Sequence, residues 1–274
     1  MSTLIIGTGF VGTALADSYR AMGLATVQTS RHVGRADLSI GNGAALDRLL
    51  GESVFDQVVV VGQLTGPAID WVLERVDGPR WLVLSSQQLA SPVLAPRSAT
   101  ARAREALVLS RGACVLRPTM IFGRGRDANV SRVIRFMNRS RLALVPGPGD
   151  QEMQPLHVDD LVALIHCHKK AASGGLHPVA CSEAIPIIEL VDTIGQILGL
   201  RLPPVVIPSA VVAIAARVAP LLRLRPDQIS RLTQQKVVDA TSTEAAFDWS
   251  PAPLGLRVEQ AVGEAILDAP RRTG

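Results

Sequence analysis

Aliphatic runs alternate with amphipathic, helix-length segments along the first half of the chain. Leu4-Ile5-Ile6 reads as a short strand, and residues 11–22 as a helix with Val11, Leu15 and Met22 on one face. Residues 24–29, 58–61, 81–85 and 113–116 read as further strands, with helices at 43–50, 68–76 and 99–110 between them. Strands that are apolar throughout are buried on both faces. The pattern therefore predicts the α/β class: a Rossmann-type doubly wound parallel sheet covered by helices.

Beyond Arg117-Pro118 the alternation loosens. Residues 145–150 read as a loop, and 156–172 as a short strand followed by a helix capped at Asp159 or Asp160. Helices follow at about 185–199 and 208–222. The expected organisation is a sheet domain over 1–182 and a smaller, mostly helical lobe over 183–274. Residues 123–155 are expected to contribute to the smaller lobe.

Composition narrows the class. With 47% hydrophobic and 19% charged residues among 274, the chain is globular, and with 3% aromatics its core must be aliphatic. The net charge of +4 is carried almost wholly by scattered arginines, and no basic run interleaves with aromatics. That argues against nucleic acid and suits small phosphate-bearing ligands. Cys114, Cys167 and Cys181 match no zinc spacing, so no metal is expected and the thiols read as reduced, in a cytoplasmic protein. The start of the chain lacks a charged segment and a long apolar run, so no signal peptide is expected. The apolar stretch 205–222 carries Pro208 and Arg217 and falls short of the roughly 20 residues a membrane span needs. It reads as a buried helix or as the interface of a homodimer.

The chemistry begins at Gly7-Thr8-Gly9-Phe10-Val11-Gly12, between the first strand and the first helix. In that context Gly7 permits a tight turn, Gly9 lets backbone approach a pyrophosphate, and Gly12 allows close helix–strand packing. The motif therefore points to a dinucleotide. A carboxylate at the end of the second strand would bond the ribose 2′-hydroxyl of NAD. Here the chain reads Thr29-Ser30-Arg31-His32. Arg31 and Ser30 suit a 2′-phosphate, and one charged hydrogen bond of about 1.5–3 kcal/mol gives roughly a tenfold to hundredfold preference. NADP(H) is the expected cofactor.

The chain resembles the short-chain dehydrogenase/reductase superfamily, and within it the NAD-dependent epimerase/dehydratase branch (extended and atypical). The resemblance rests on GTGFVG, on Asp37-Leu38, on DQVVVVG at 56–62, and on Ser85-Ser86 at the end of the fifth strand. It continues in LRPTMIFG at 116–123, LHVDDL at 156–161 and FDWSPAPLG at 247–255. It implies that Asp37 and Leu38 lie beside the adenine, that Gly62 borders the cofactor, and that Ser85 or Ser86 is the active-site serine. The branch's Tyr-x-x-x-Lys is missing. The only tyrosine is Tyr19, in the first helix, and no lysine precedes Lys169. By family spacing from Glu105, the tyrosine position falls near Arg97 and the lysine position near Ala101.

Ser85, Ser86 and Gln87 are the expected contacts to a reacting oxygen, and His157 is the best titratable candidate, with packing as its competing role. Arg97 would stabilise an oxyanion, and Arg124 and Arg126 would hold an anionic small-molecule substrate. Met153 stands where sugar-nucleotide epimerases of the branch often carry an arginine. Three readings stay open: an atypical NADP(H)-dependent oxidoreductase or epimerase acting on a carbonyl or hydroxyl compound such as a sugar nucleotide, a non-catalytic NADP(H)-binding redox sensor, and a redox-neutral enzyme.

Overall fold

Every residue of Gln57–Val60 and Trp81–Leu84 is buried, as strands covered on both faces must be. The computed structural model describes residues 2–30, 38–39, 43–62, 64, 69–90, 96–171, 173–200, 203–208, 210–211 and 237–267. The chain forms two units, Met1–Thr119 with Val158–Ala180 and Asp239–Ser250, and Met120–His157 with Cys181–Val238 and Pro251–Gly274. The sequence expectation places the boundary after residue 182, with residues 123–155 contributing to the smaller lobe.

In the first unit, β1 (Ser2–Ile6), β2 (Ala25–Ser30), β3 (Leu38–Ser39), β4 (Gln57–Val60), β5 (Trp81–Leu84), β6 (Cys114–Pro118) and β11 (Gly175–Val179) make one sheet. Its order is β11-β6-β5-β4-β1-β2-β3 and every pairing is parallel. This is a doubly wound parallel sheet, the class predicted from the sequence, with its order reversing between β1 and β4. Strand parity assigns the faces. Leu4, Ile6, Val58, Val60, Trp81, Val83 and Val115 join α3 (Ile69–Leu73) and α4 (Pro96–Ser110) in one core cluster. On the opposite face, Gln57 and Thr3 bond to residues of α6 (Val158–Ala171), which packs against α1 (Phe10–Ala21). Helix α2 spans Gly43–Glu52, and α8 (Thr241–Phe247) packs on α6 and β11.

Several local expectations are corrected. Met22 is the C-cap of α1 and half exposed, and the buried face runs through Gly12, Leu15 and Tyr19 instead. Helix α4 starts at Pro96, where a missing N–H is harmless, three residues before the expected start. Helix α6 begins at Val158, so Asp159 and Asp160 lie within its first turn rather than capping it. There they face the positive end of the helix dipole, while His168, Lys169 and Lys170 occupy the last turn.

In the second unit, β7 (Ile121–Phe122) pairs with β10 (Leu156–His157), β8 (Leu144–Pro146) with β13 (Val205–Ile207), and β9 (Glu152–Met153) with β12 (Ile185–Pro186). The expected loop at 145–150 thus begins as a strand. Helices α5 (Val130–Ser140), α7 (Ile187–Ile197) and α9 (Leu254–Leu267) enclose a core of Ile134, Met137, Leu190, Ile194, Val258 and Val262. Of the helix expected at 208–222, residues 212–222 lie outside the described residues, and with them most of the expected homodimer surface. Among the described residues no helix is long and apolar enough to cross a membrane.

Candidate functional site

Parallel strands bring their C-terminal ends to one edge of the sheet. In the order β5-β4-β1-β2 that edge carries Ser85 after β5, Gly62 after β4, Gly7 after β1 and Ser30 at the end of β2. Ligands of open α/β sheets bind along this edge, at the reversal of strand order.

The glycine loop is built as its spacing requires. Gly7 has φ +130°, a conformation closed to other residues, and a Cβ there would stand 2.9 Å from Val61 Cγ2. Its N–H donates to the Thr29 carbonyl at 2.9 Å, and the buried Gln28 amide donates to its carbonyl at 3.1 Å. Thr8 offers its carbonyl to the Thr13 hydroxyl at 3.4 Å. A Cβ on Gly12 would stand 2.3 Å from the Gly7 oxygen, so only glycine lets α1 approach the strand. Gly9 is different: it is exposed, and no heavy atom of the described residues lies within 4 Å of its Cβ position. Phe10 and Val11 open α1, whose first turn contains no acid. An exposed bare backbone against the free N–H groups of a helix N-terminus fits a pyrophosphate.

The residues expected at the adenosine end are only partly described. Arg31 and Asp37 lie outside the described residues. Ser30, Leu38 and Arg97 are described in backbone only, at the end of β2, in β3 and in the first turn of α4. Leu38 thus belongs to the third strand rather than following it. Ala101, at the family's lysine position, is 4% exposed and packed in the core.

At the end of β5 the structure separates Ser85 from Ser86. The Ser86 hydroxyl accepts the Gln88 N–H at 3.3 Å, within a short 3-10 helix over Gln87–Ala90. Ser85 is held by its own N–H, which donates to the Leu116 carbonyl at 2.8 Å, and its hydroxyl donates to Glu105 Oε2. Arg117 clamps the same carboxylate, with Nε 3.0 Å from Oε2 and Nη2 on Oε1. Glu105 is 2% exposed, so a buried carboxylate, a half-buried guanidinium and the hydroxyl form one satisfied group. Gln87 has a buried Oε1 with no hydrogen-bond partner among the described residues.

Glu105 and Arg117 were not singled out as site residues from the sequence, yet a signal existed. Ala101, Glu105 and Val108 follow one helical stripe, and all three are buried. A carboxylate on that stripe needs a cation, and Arg117 is the one charge in the strand Cys114–Pro118.

Tyr19 does no chemistry at this edge. It is fully buried, burial pushes its hydroxyl up to about 12, and it donates to Gln57 Oε1 at 2.6 Å. The Gln57 amide in turn donates to the Ile165 carbonyl at 2.9 Å and to His168 Nδ1, 3.0 Å away. Burial, aided by the charge of His177, lowers His168 to about 4 and keeps its ring neutral. Cys114 is likewise core, its thiol pushed up to about 12 by burial.

In the second unit His157 is 1% exposed. Its ring meets Phe122 edge-on at 5.1 Å, and its Nε2 lies 3.8 Å from Glu264 Oε2. Gly123 has φ +118°, and a Cβ there would stand 2.2 Å from His157 Nε2. Close packing therefore accounts for both residues. Arg124 has φ +53° and donates its backbone N–H to Glu264, while Arg126 is exposed. Asp127 accepts the N–H groups of Gly123 at 3.1 Å and Asn129 at 2.8 Å and the Ser131 hydroxyl, which makes it the keystone of the turn into α5.

No protein-family model and no curated protein matches the sequence. Solved structures do match. A dTDP-glucose 4,6-dehydratase from Bacillus anthracis in complex with NAD superposes with a TM-score of 0.77 at 13% identity, covering 98% of this chain and 97% of that one. A UDP-glucose 4-epimerase from Thermotoga maritima with UDP-glucose gives 0.73 at 16% identity, covering 96% and 98%. A UDP-glucuronic acid 4-epimerase from Bacillus cereus in complex with NAD gives 0.72 at 14%, covering 97% and 96%. The fold of this chain is therefore that of these dehydratase and epimerase structures, over nearly its whole length.

Proposed function

We propose that the chain is an atypical short-chain dehydrogenase/reductase, an NADP(H)-dependent oxidoreductase or epimerase acting on a small carbonyl or hydroxyl compound. The observation that carries this reading is the glycine loop. Two glycines are forced by contacts under 3 Å, while the third, Gly9, leaves open backbone before a helix N-terminus. A fold can host many functions, so the site and not the likeness bears the weight.

Gly7–Gly12 would hold the pyrophosphate, Gly62 would border the dinucleotide, and Asp37 and Leu38 would flank its adenine. Ser30 and Arg31 would take the 2′-phosphate. When bound, the nicotinamide supplies a hydride donor or acceptor. The chain's own part is to orient and polarise the substrate, through Ser85 with Gln87 beside it. Arg97, Arg124 and Arg126 are the candidates for an anionic substrate, while His157, packed against Gly123, is given no chemical role. Neighbours named for UDP-glucose and dTDP-glucose favour a sugar nucleotide as the first substrate class to try. Fluorescence titration with NADPH and NADH tests the cofactor assignment. NADPH should bind more tightly, and Arg31→Ala should erase the preference. An unchanged ratio in the variant refutes the role of Arg31.

One observation favours a second reading. Tyr19 is locked in the core and no Tyr-x-x-x-Lys exists, as suits a redox sensor that binds NADP(H) without turnover. Mutating Ser85 and Ser86 to alanine separates the two, because a sensor keeps its full function and an enzyme loses turnover.

A further inference from the structure

A serine hydroxyl has one proton and two lone pairs, so where its proton points decides what it can recognise. In this chain the proton of Ser85 is already taken. It lies on Glu105 Oε2, and that carboxylate is buried and clamped on both oxygens by Arg117. The backbone of Ser85 is pinned to Leu116 as well, so the group does not swing freely. One neighbour points the same way: Gln87 Oε1 is a buried acceptor with no hydrogen-bond partner among the described residues.

We infer that Glu105 fixes Ser85 as a hydrogen-bond acceptor, so that the group recognised at the end of β5 is a donor: an alcohol hydroxyl rather than a ketone carbonyl. This rests on the proposed function, in which that strand end faces the substrate, and it narrows the substrate class. A ketone oxygen needs a donor. Ser85 could supply one only by turning its proton away from Glu105, which breaks a charge-assisted hydrogen bond in a buried site. That penalty amounts to roughly a tenfold to hundredfold preference for the alcohol. Glu105 is a positioning residue here, since it acts through Ser85, and Arg117 holds its carboxylate in place through both oxygens.

The test uses the whole chain without cofactor, titrated with cyclohexanol and with cyclohexanone while the amide NMR signals of Ser85, Ser86 and Gln87 are followed. Cyclohexanol should bind at least about tenfold more tightly. Ser85→Thr should keep that ratio and Ser85→Ala should abolish it. Glu105→Gln, which removes the charge but keeps the shape, should narrow it about tenfold. Equal affinities, a ketone preference, or no response to either probe overturns the inference. An unchanged ratio in Glu105→Gln overturns the part given to Glu105. Should Glu105→Gln not fold, the two Ser85 variants still decide the polarity. A separate NADPH titration reports on the cofactor reading, so either idea can fail without the other.

Discussion

Adding one methyl group at Gly12 and one at Gly9 should have opposite consequences. At Gly12 the Cβ would stand 2.3 Å from the Gly7 oxygen and 2.8 Å from Val61 Cγ2, where ordinary contacts begin near 3.4 Å. The first obstacle is backbone, so the strand and α1 must separate by about 1 Å. Overpacking of this kind costs about 1–3 kcal/mol, and the upper end applies where backbone must move. Alanine returns about 1 kcal/mol of helix propensity. The net loss for Gly12→Ala is therefore about 2 kcal/mol, or about 4–8 °C in Tm for a chain of this size. At Gly9 no heavy atom of the described residues lies within 4 Å, and φ is −73°, which alanine adopts freely. Gly9→Ala should leave stability within about 0.5 kcal/mol. Its methyl group would instead stand in the path of the pyrophosphate. Losing one or two charged backbone hydrogen bonds there weakens NADPH binding about 100-fold. Urea denaturation and NADPH fluorescence titration on both variants read the two effects separately. A Gly9→Ala protein that binds NADPH like the parent refutes the cradle, and a Gly12→Ala protein of unchanged stability refutes the packing argument.

Further outcomes follow from the buried polar groups. Glu105→Ala strands the Arg117 guanidinium, which is 16% exposed, and should cost about 3–5 kcal/mol in denaturant unfolding. The double variant Glu105→Ala/Arg117→Ala should cost less than the sum of the singles. His168 is held neutral down to about 4 in the fold and titrates near 6.5 when unfolded. The unfolded chain therefore binds the extra proton first. The stabilisation this provides, about 3 kcal/mol, is complete above pH 6.5 and is lost progressively as pH falls to about 4. Urea midpoints measured across that window should slope downward on acidification, and His168→Phe should flatten the slope. Tyr19→Phe leaves the Gln57 Oε1 atom without its donor and should cost about 1–2 kcal/mol while NADPH affinity stays unchanged. A loss of affinity with unchanged stability would instead assign Tyr19 to the site.

Much of the first unit was legible because local pattern and tertiary demand coincide there. Val58–Val60 is apolar on both faces and is covered on both, and the glycines sit where strand, turn and helix meet. Helical period alone does not say where a helix ends: it places Met22 on the apolar face, whereas α1 stops one residue earlier. The strand at Leu144–Pro146 was hidden by the prolines and glycines after it, and its partner Val205–Ile207 is remote in sequence. In the candidate site the glycine loop could be read residue by residue, since backbone geometry dictates glycine. The Ser85–Glu105–Arg117 group could not, because three residues whose ends lie 32 positions apart, at 85 and 117, meet only when α4 packs on the sheet. The apolar stripe of α4 hinted at Glu105, but nothing local paired it with Ser85. His157 reads as chemistry in sequence and as close packing against Gly123 in the fold.

The most direct test of the proposed activity follows the hydride itself. The pure protein is incubated with NADPH deuterated at both C4 positions and a small-molecule extract of its source cells, and mass spectrometry tracks the label. Deuterium recovered in a metabolite is the expected result, and it names the substrate at the same time. NADPH that binds tightly yet leaves every metabolite unlabelled would contradict hydride transfer and shift the assignment to a sensor.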